Sequence, residues 1–578
     1  MADSIFSRTF GRLTELVTGD TPWYKLPTFL GIPKLFRIRE KLRKDNLHDT
    51  GKIASTPSPT LGKPDDRQRM SRTPDGTYND LKDPRMGCAG MRFGRNMPLD
   101  HITPEEGPAL VTPSPRTVSV ELMTRKKFQP ATILNLLAAS WIQFMIHDWI
   151  SHGNNEKENP IEVPLREGDD WPERPMVVRR TRRDPTRPPS DTDKRPTFVN
   201  TETHWWDGSQ VYGSDQETLN KVRSGENGKL RIGADGLLPI DPHTGIEISG
   251  VTGNWWVGLS MLHTLFTLEH NAICDRFRSE FKSWSDDELF NHARLVNAAL
   301  MAKIHTIEWT PAIVPHPTAK LALNGNWLTI RKSDQDHTGA PYCLTEEFVS
   351  VYRMHPLMPD DFVFRSHSSG NVLQERTMSQ VLGNQSREIM KEVSVTDLFY
   401  SFGVSHPGAV RLHNFPRFMQ RLERPDAPLI DLAAVDVLRD RERGVPRYNE
   451  FLRLINKPPV EKFEDLTSNK EWAEEIRRVY GNDINRVDLM VGLYAEDLPE
   501  GFGFSETAFR IFVLMATRRL QSDRFFTTDY TEKVYTKTGL DWIDNNNMRT
   551  ILQRHYPDLG QFVSRIDNAF APWPSKSA

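Results

Sequence analysis

The chain has 578 residues, 37% of them hydrophobic and 26% charged, enough for several domains or one large helical one. Its 74 Lys and Arg against 77 Asp and Glu leave a net charge of −3, which excludes a general nucleic-acid binder. Three cysteines (Cys88, Cys274, Cys343) show neither CxxC pairing nor metal spacing, and no apolar run reaches the roughly 18 residues of a membrane span. The opening "MADSIFSRTFGRLTELVTGD" lacks the apolar core of a signal peptide, so the expectation is an intracellular protein, soluble or peripherally membrane-associated.

In chain order, "WYKLPTFLGIPKLFRIREKLRKDN" comes first, with Pro33 placed to open a short helix. Leu35, Ile38 and Leu42 fall on one side, and Lys34, Arg37, Arg39, Lys41, Arg43 and Lys44 on the others; Trp23, Phe29 and Phe36 add aromatic area. Residues 23–44 therefore suit a membrane surface, or equally a helix packed on the main body. We read 1–50 as an N-terminal amphipathic helical extension and 51–578 as one catalytic domain. Residues 51–120 and 155–198 are dense in Pro, Gly, Ser, Thr and Asp and should be loops, the first wrapping a core, with "RRTRRDPTRPPSDTDKR" exposed in the second. Between them, "PATILNLLAASWIQFMIHDWISHG" is apolar nearly all round and predicts a buried helix. "GKLRIGADGLLPI" reads as a short hairpin. Helical pattern governs "WWVGLSMLHTLFTLEHNAICDRFRSEF", "DELFNHARLVNAALMAKIHTIEWT", "PRFMQRLER", "NEFLRLIN", "WAEEIRRVYG" and "SETAFRIFVLMATRRLQSDRFF", the last with Ser505 as N-cap. The expected fold class is mainly α, with long wrapping loops and little strand.

Three groups of residues invite chemistry. In "EEFVSVYRMHPLMPDDF", Tyr352 and His355 are spaced to share one helical face just before Pro356 stops the helix. Such a pair is either an ordinary hydrogen-bonded core contact or a metal-bound imidazole beside a redox tyrosine. On the buried helix Gln143 and His147 lie one turn apart, and polar groups there need partners. In "TETHWWDGSQVYGSD", Thr203, Trp205, Asp207 and Ser209 alternate by two. Hydroxyls, a carboxylate and a backbone carbonyl, with Asp148 as a second carboxylate, make a hard-oxygen set that suits Ca²⁺; an Asp-Gly turn with capping hydroxyls fits the same letters.

"IHDW", "TETHWWDGSQVYG", "MLHTLFTLEHN", "YRMHPLMPD" and "LRDRERGVPRYN" follow one another in an order that resembles the haem peroxidase–cyclooxygenase superfamily, and within it the fatty-acid α-dioxygenases of the plant pathogen-inducible type. The resemblance runs from "LPTFLG" to "RRLQSDRFFTTDYTEKVYTKTGL", most of the chain. It implies a haem b domain in which His355 is the proximal iron ligand, Tyr352 the radical-forming tyrosine and His147 the distal histidine, with Gln143 a turn earlier. It implies a calcium site at Asp148, Thr203, Trp205 (carbonyl), Asp207 and Ser209, with Asp436 bonded to the proximal imidazole and Arg439 at a haem propionate. The segment "VTGNWWVGLS" lacks the Arg and Glu that mammalian peroxidases carry before "MLHTL", so the haem should be non-covalent and ordinary peroxidase activity weak. The secreted precursor and EGF-like module of cyclooxygenases are also missing, as is any cysteine-ligated haem domain.

The fatty-acid carboxylate must sit near Tyr352 if C2 is to react. "KIHTIEWTPAIVP" offers His305 and Thr310 where a helix should stop at Pro311, and "MATRRLQSD" offers Arg518 and Arg519, about 100° apart in helical phase so that one points inward. By motif position the resemblance assigns His305, Thr310 and Arg519. The implied reaction starts with a peroxide activator. The Tyr352 radical then removes a C2 hydrogen, O₂ adds, and the 2-hydroperoxy acid can lose CO₂ to an aldehyde one carbon shorter. A general haem peroxidase, another fatty-acid dioxygenase of the superfamily and a non-catalytic membrane-surface protein are the alternatives.

Overall fold

A computed structural model describes residues 18–52, 61–187, 195–331, 333–424 and 427–576. With 49% helix and 7% strand it is mainly helical, as expected. The helix Leu136–Trp149 starts where the Asn135 side chain accepts from Ala138 N at 3.2 Å, and every residue in it except Gln143 and Ile146 is buried. A helix with no polar face must be covered on all sides. The helices Val257–Glu280 and Val395–Val404 and the short helix Ser209–Tyr212 pack on it, and Asp286–Ile304 packs on Val257–Glu280 in turn. The helix Glu506–Ser522 is capped by Ser505, whose Oγ accepts from Ala508 N at 3.0 Å, and lies against Thr28–Asp45, Pro317–Ile330 and Glu346–Val351. Among the described residues strand is confined to three antiparallel pairs: Ile161–Val163 with Met176–Val178, Asp361–Arg365 with Val372–Thr377, and Leu422–Arg424 with Ala427–Ile430.

Several local expectations are corrected. The helix over this stretch, Thr28–Asp45, begins at Thr28 rather than at Pro33, which lies inside it. The N–H that Pro33 lacks would have met the carbonyl of Phe29, an exposed residue where water can replace it. Trp23 is no surface aromatic: it is 1% exposed and stacked on Phe509 at 5.4 Å, while Leu35 and Leu42 are buried and Phe29, Lys41 and Lys44 face outward. "GKLRIGADGLLPI" forms no strands; its Leu230 bridges back to Arg223, and a turn closes between Gly233 N and Leu237 O at 2.7 Å. "PRFMQRLER" is a 3-10 turn, Arg417–Arg421, running into a strand rather than a helix.

The basic stretch after Val178 is only partly exposed. Thr181 and Asp184 are buried, bonded to Glu442 and Arg92, and 188–194 lie outside the described residues. Residues 61–120 do wrap the body: Gly87 (φ +69°) passes so close to Trp205 that an added Cβ would sit 2.5 Å from its ring, which only glycine permits. The helix Asp286–Ile304 does not stop at Pro311. It widens into a π turn, His305–Trp309, and resumes as Thr310–Ile313. The wider turn accommodates a proline that has no N–H and would crowd the carbonyl one turn back.

Candidate active site

The helix Glu346–Val351 ends at Tyr352 (φ −89°, ψ 5°), and His355 opens a separate 3-10 turn, His355–Leu357. The two residues therefore do not share a helical face, and their surroundings differ. Tyr352 is 3% exposed, edge-on to Trp149 at 5.6 Å and in ring contact with Phe348 (4.6 Å) and Phe512 (5.5 Å). Burial raises its pKa well above the phenol range, so the hydroxyl keeps its proton. The His355 side chain is 32% exposed, with Nδ1 2.7 Å from Asp436 Oδ2. A carboxylate that accepts from Nδ1–H leaves the Nε2 lone pair for a ligand and makes it more basic.

Burial works against ionisation of Asp436, but His355 and Arg353 outweigh it and hold the carboxyl below its usual range. Arg353, which sequence patterns did not single out, bonds the Asp436 carbonyl and lies 3.3 Å from Asp440 Oδ1. Its position inside the "YRMHP" motif was the one available signal. Two of the five donors of the Arg439 guanidinium are engaged within the protein. They are bound to Glu442 Oε2 (2.5 Å) and to the Arg179 carbonyl (2.6 Å).

His147 is buried, and burial alone lowers its pKa to about 4, so it is a neutral imidazole near pH 7; its Nδ1 has no partner among the described residues. Gln143, a turn earlier, is taken up by the segment "VTGNWWVGLS": its Oε1 accepts from Trp256 Nε1 at 2.8 Å and its amide donates to the Asn254 carbonyl at 3.4 Å.

His305 sits on the π turn in a box of four indoles. Trp309 stacks on it (4.7 Å), Trp149 and Trp206 meet it edge-on (5.2 and 5.4 Å), and Trp141 Nε1 donates to its Nδ1 at 3.2 Å. An indole N–H can only donate, so His305 Nδ1 is the acceptor and the proton is on Nε2, which is buried without a partner. Burial, and then the charge of Arg519, keep His305 neutral. The Arg519 guanidinium lies 3.8 Å from the Trp149 ring centroid and 4.3 Å from that of Trp206. Its Nε and Nη2 are unpartnered, and among the described residues no carboxylate pairs with it. Thr310 is buried beside them, but its hydroxyl donates to the His305 carbonyl at 2.8 Å. Arg518, which a solvated helix face would have explained, is also buried. It turns the other way and binds the carbonyls of Ala340 and Pro341 at 2.8 Å and those of Cys343 and His337 at 3.3 and 3.4 Å.

Asp148, Thr203, Asp207 and Ser209 come together at the last turn of the helix Leu136–Trp149. Ser209 N donates to Asp148 Oδ1 (2.6 Å), Ser209 Oγ donates to Asp207 Oδ1 (2.7 Å), and Thr203 Oγ1 is 3.2 Å from Ser209 Oγ. Asp148 Oδ2 is buried and unpartnered, and Arg294 approaches Asp207 at 3.4 Å. Trp205 is held by its indole N–H on Gly76 O (3.0 Å) and stacks on Tyr342. Among the described residues no three His, Cys, Asp or Glu side chains cluster as metal ligands, so a cation here would draw on hydroxyls and a carbonyl besides the two carboxylates.

The family model described as animal haem peroxidase matches residues 71–567. The chain is 38% identical to α-dioxygenase 1 of Capsicum annuum, covering 96% of this chain and 90% of that protein, and 38% identical to α-dioxygenase 2 of Arabidopsis thaliana over 96% and 91%. This chain belongs to the animal haem peroxidase family, among the fatty-acid α-dioxygenases. The crystal structure of the Oryza sativa fatty acid α-dioxygenase superposes with a TM-score of 0.89 at 35% identity, over 99% of this chain and 97% of that one. A tyrosine-to-phenylalanine form of the rice enzyme, solved with palmitic acid, matches equally well, with 98% of that chain covered. As a member of the haem family, this α-dioxygenase is a haem enzyme and an oxidoreductase. Among the described residues no helix is long and apolar enough to cross a membrane.

Proposed function

We propose that this α-dioxygenase oxygenates C2 of a free long- or medium-chain fatty acid, with Tyr352 as the group that breaks the C2–H bond. The observation that carries the reading is a buried guanidinium with two open donors, and no carboxylate paired to it among the described residues, beside a buried phenol: Arg519 and Tyr352 share Trp149 and Phe348 as walls. A carboxylate paired with Arg519 Nε and Nη2, and accepting from His305 Nε2–H, would complete the open donors, and C2 is the next carbon along. Thr310 would join by turning its hydroxyl from the His305 carbonyl. His355 would hold the haem, which when bound would supply one-electron oxidation in the presence of a peroxide; Tyr352 would be the residue oxidised, losing its hydroxyl proton to become a phenoxyl radical. The Tyr352 oxygen then takes a hydrogen atom from C2, O₂ adds to the carbon radical, and the resulting peroxyl takes the hydrogen atom back. The products are a 2-hydroperoxy acid and a restored Tyr352 radical. Neutral His147 has the lone pair needed to take a proton from the activating peroxide. The test is oxygen uptake on adding a fatty acid with no reducing co-substrate, followed by identification of the 2-hydroperoxide and the shortened aldehyde. Peroxidase turnover without oxygen uptake would favour a general haem peroxidase instead.

The residues fit a haem: the His355 imidazole has its Nδ1 fixed by the buried Asp436 carboxylate, and the helix Leu136–Trp149 carries a second buried imidazole, His147, with an unpartnered nitrogen. We expect His355→Ala to lose the Soret band and His147→Ala to keep it. Peroxide activation in the latter should fall by about 10²–10⁴, the range of a general base. Normal spectra and turnover in both would discard the axial assignment. Glu247, the carboxylate nearest in sequence to "VTGNWWVGLS", is buried on Ser260 and Ser386, which supports haem held without an ester bond.

Asp148, Thr203, the Trp205 carbonyl, Asp207 and Ser209 would hold Ca²⁺, which would occupy the open Asp148 oxygen and separate two buried carboxylates. A chelator should then lower the melting temperature of the wild type and leave Asp207→Ala, already less stable, unmoved. At a hundredfold excess of calcium over its Kd the difference amounts to about 2.7 kcal/mol. Metal analysis of untreated protein that finds no calcium would count against the site.

A further inference from the structure

We propose that Arg519 also serves a second role, in which its guanidinium, seated on Trp149 and Trp206, confines the oxidising equivalent to Tyr352 until a substrate arrives. The inference rests on the reading of Tyr352 as the radical site. A phenoxyl radical that waits for substrate can lose its hole to any oxidisable ring it touches. Of the three rings against Tyr352 among the described residues, two are phenyl groups, and the third is the Trp149 indole at 5.6 Å. Two routes lead onto Trp149. Electron transfer alone leaves an indole radical cation and a Tyr352 phenolate. The indole cation would form 3.8 Å from the Arg519 charge, in a site that burial has stripped of screening water. Transfer of an electron and a proton leaves Tyr352–OH and a neutral indolyl radical, but the proton must leave Trp149 Nε1. That atom is buried with no acceptor among the described residues, and so is Trp206 Nε1.

The contrast within the indole box is informative. Trp141 and Trp309, which Arg519 does not cover, have acceptors for their N–H groups: His305 Nδ1 at 3.2 Å and the Ala138 carbonyl at 2.9 Å. Among the described residues the two indoles under the guanidinium have no acceptor for their N–H groups, and the one carboxylate that bears on the Arg519 charge, Asp148, is itself bonded by Ser209 N. When a carboxylate binds, it offsets the Arg519 charge, but a C2 hydrogen is then in place and Tyr352 reacts with it.

The experiment uses haem-loaded enzyme without fatty acid, treated with hydrogen peroxide and frozen for electron paramagnetic resonance, with ring-deuterated tyrosine or tryptophan as labels. In the wild type only deuterated tyrosine should narrow the signal. In Arg519→Gln, which keeps amide donors but drops the charge, the tyrosyl share should fall about tenfold and deuterated tryptophan should narrow what remains. Adding Trp149→Phe to that variant should restore the tyrosyl signal. An Arg519→Gln enzyme with a normal Soret band and an unchanged tyrosyl signal overturns the proposal. Should that variant fail to fold, Trp149→Phe alone still decides. The tyrosyl lifetime should match the wild type because the route is already closed, and a several-fold longer lifetime refutes the confinement. Absence of any tyrosyl signal in the wild type would instead remove the radical assignment beneath it.

Discussion

Tyr352→Phe is expected to leave the Soret band intact and to reduce fatty-acid-dependent oxygen uptake by at least about three orders of magnitude, the scale on which losing a bond-making group acts. The substitution removes one oxygen. The contacts with Trp149, Phe348 and Phe512 are made by the ring, which remains. A variant that packs normally yet cannot oxygenate isolates the phenol O–H as the reacting group. Oxygen uptake at the wild-type rate would remove Tyr352 from the chemistry and leave the haem to act on substrate directly.

The adjacent arginines should separate cleanly. Arg519→Ala removes a charge-assisted hydrogen bond to the carboxylate, about 1.5–3 kcal/mol, and should raise the fatty-acid KM roughly ten- to hundredfold without altering the haem spectrum. Fatty alcohols and methyl esters should be poor substrates of the wild type for the same reason. Arg518→Ala should leave KM nearly unchanged and lower stability, because four carbonyls lose their donor, that of Cys343 in a buried bond. A buried carbonyl left unsatisfied costs about 1–3 kcal/mol, to be read from thermal or denaturant unfolding. A KM defect in Arg518→Ala with none in Arg519→Ala would reverse the assignment, and no KM effect in either would place the anchor elsewhere.

The amino-acid sequence by itself determined the helical class, the burial of Leu136–Trp149 and the family. A helix apolar on every side can only be surrounded, and five motifs in one order leave little room for coincidence. It also brought Asp148, Thr203, Asp207 and Ser209 into one neighbourhood, since three of them lie within seven residues. What the sequence could not supply was direction. Helical spacing put Tyr352 and His355 on one face, but the helix ends at Tyr352, so one residue entered an aromatic cage and the other turned to Asp436, a residue 81 positions away. Helical phase separated Arg518 from Arg519 without saying which faced the phenol. That was decided by what surrounds the Glu506–Ser522 helix: a loop of carbonyls at 337–343 on one side and two indoles on the other. Arg353 and the indole box escaped notice for the same reason. A guanidinium or an indole acquires its role from partners far along the chain, and only packing brings those partners together.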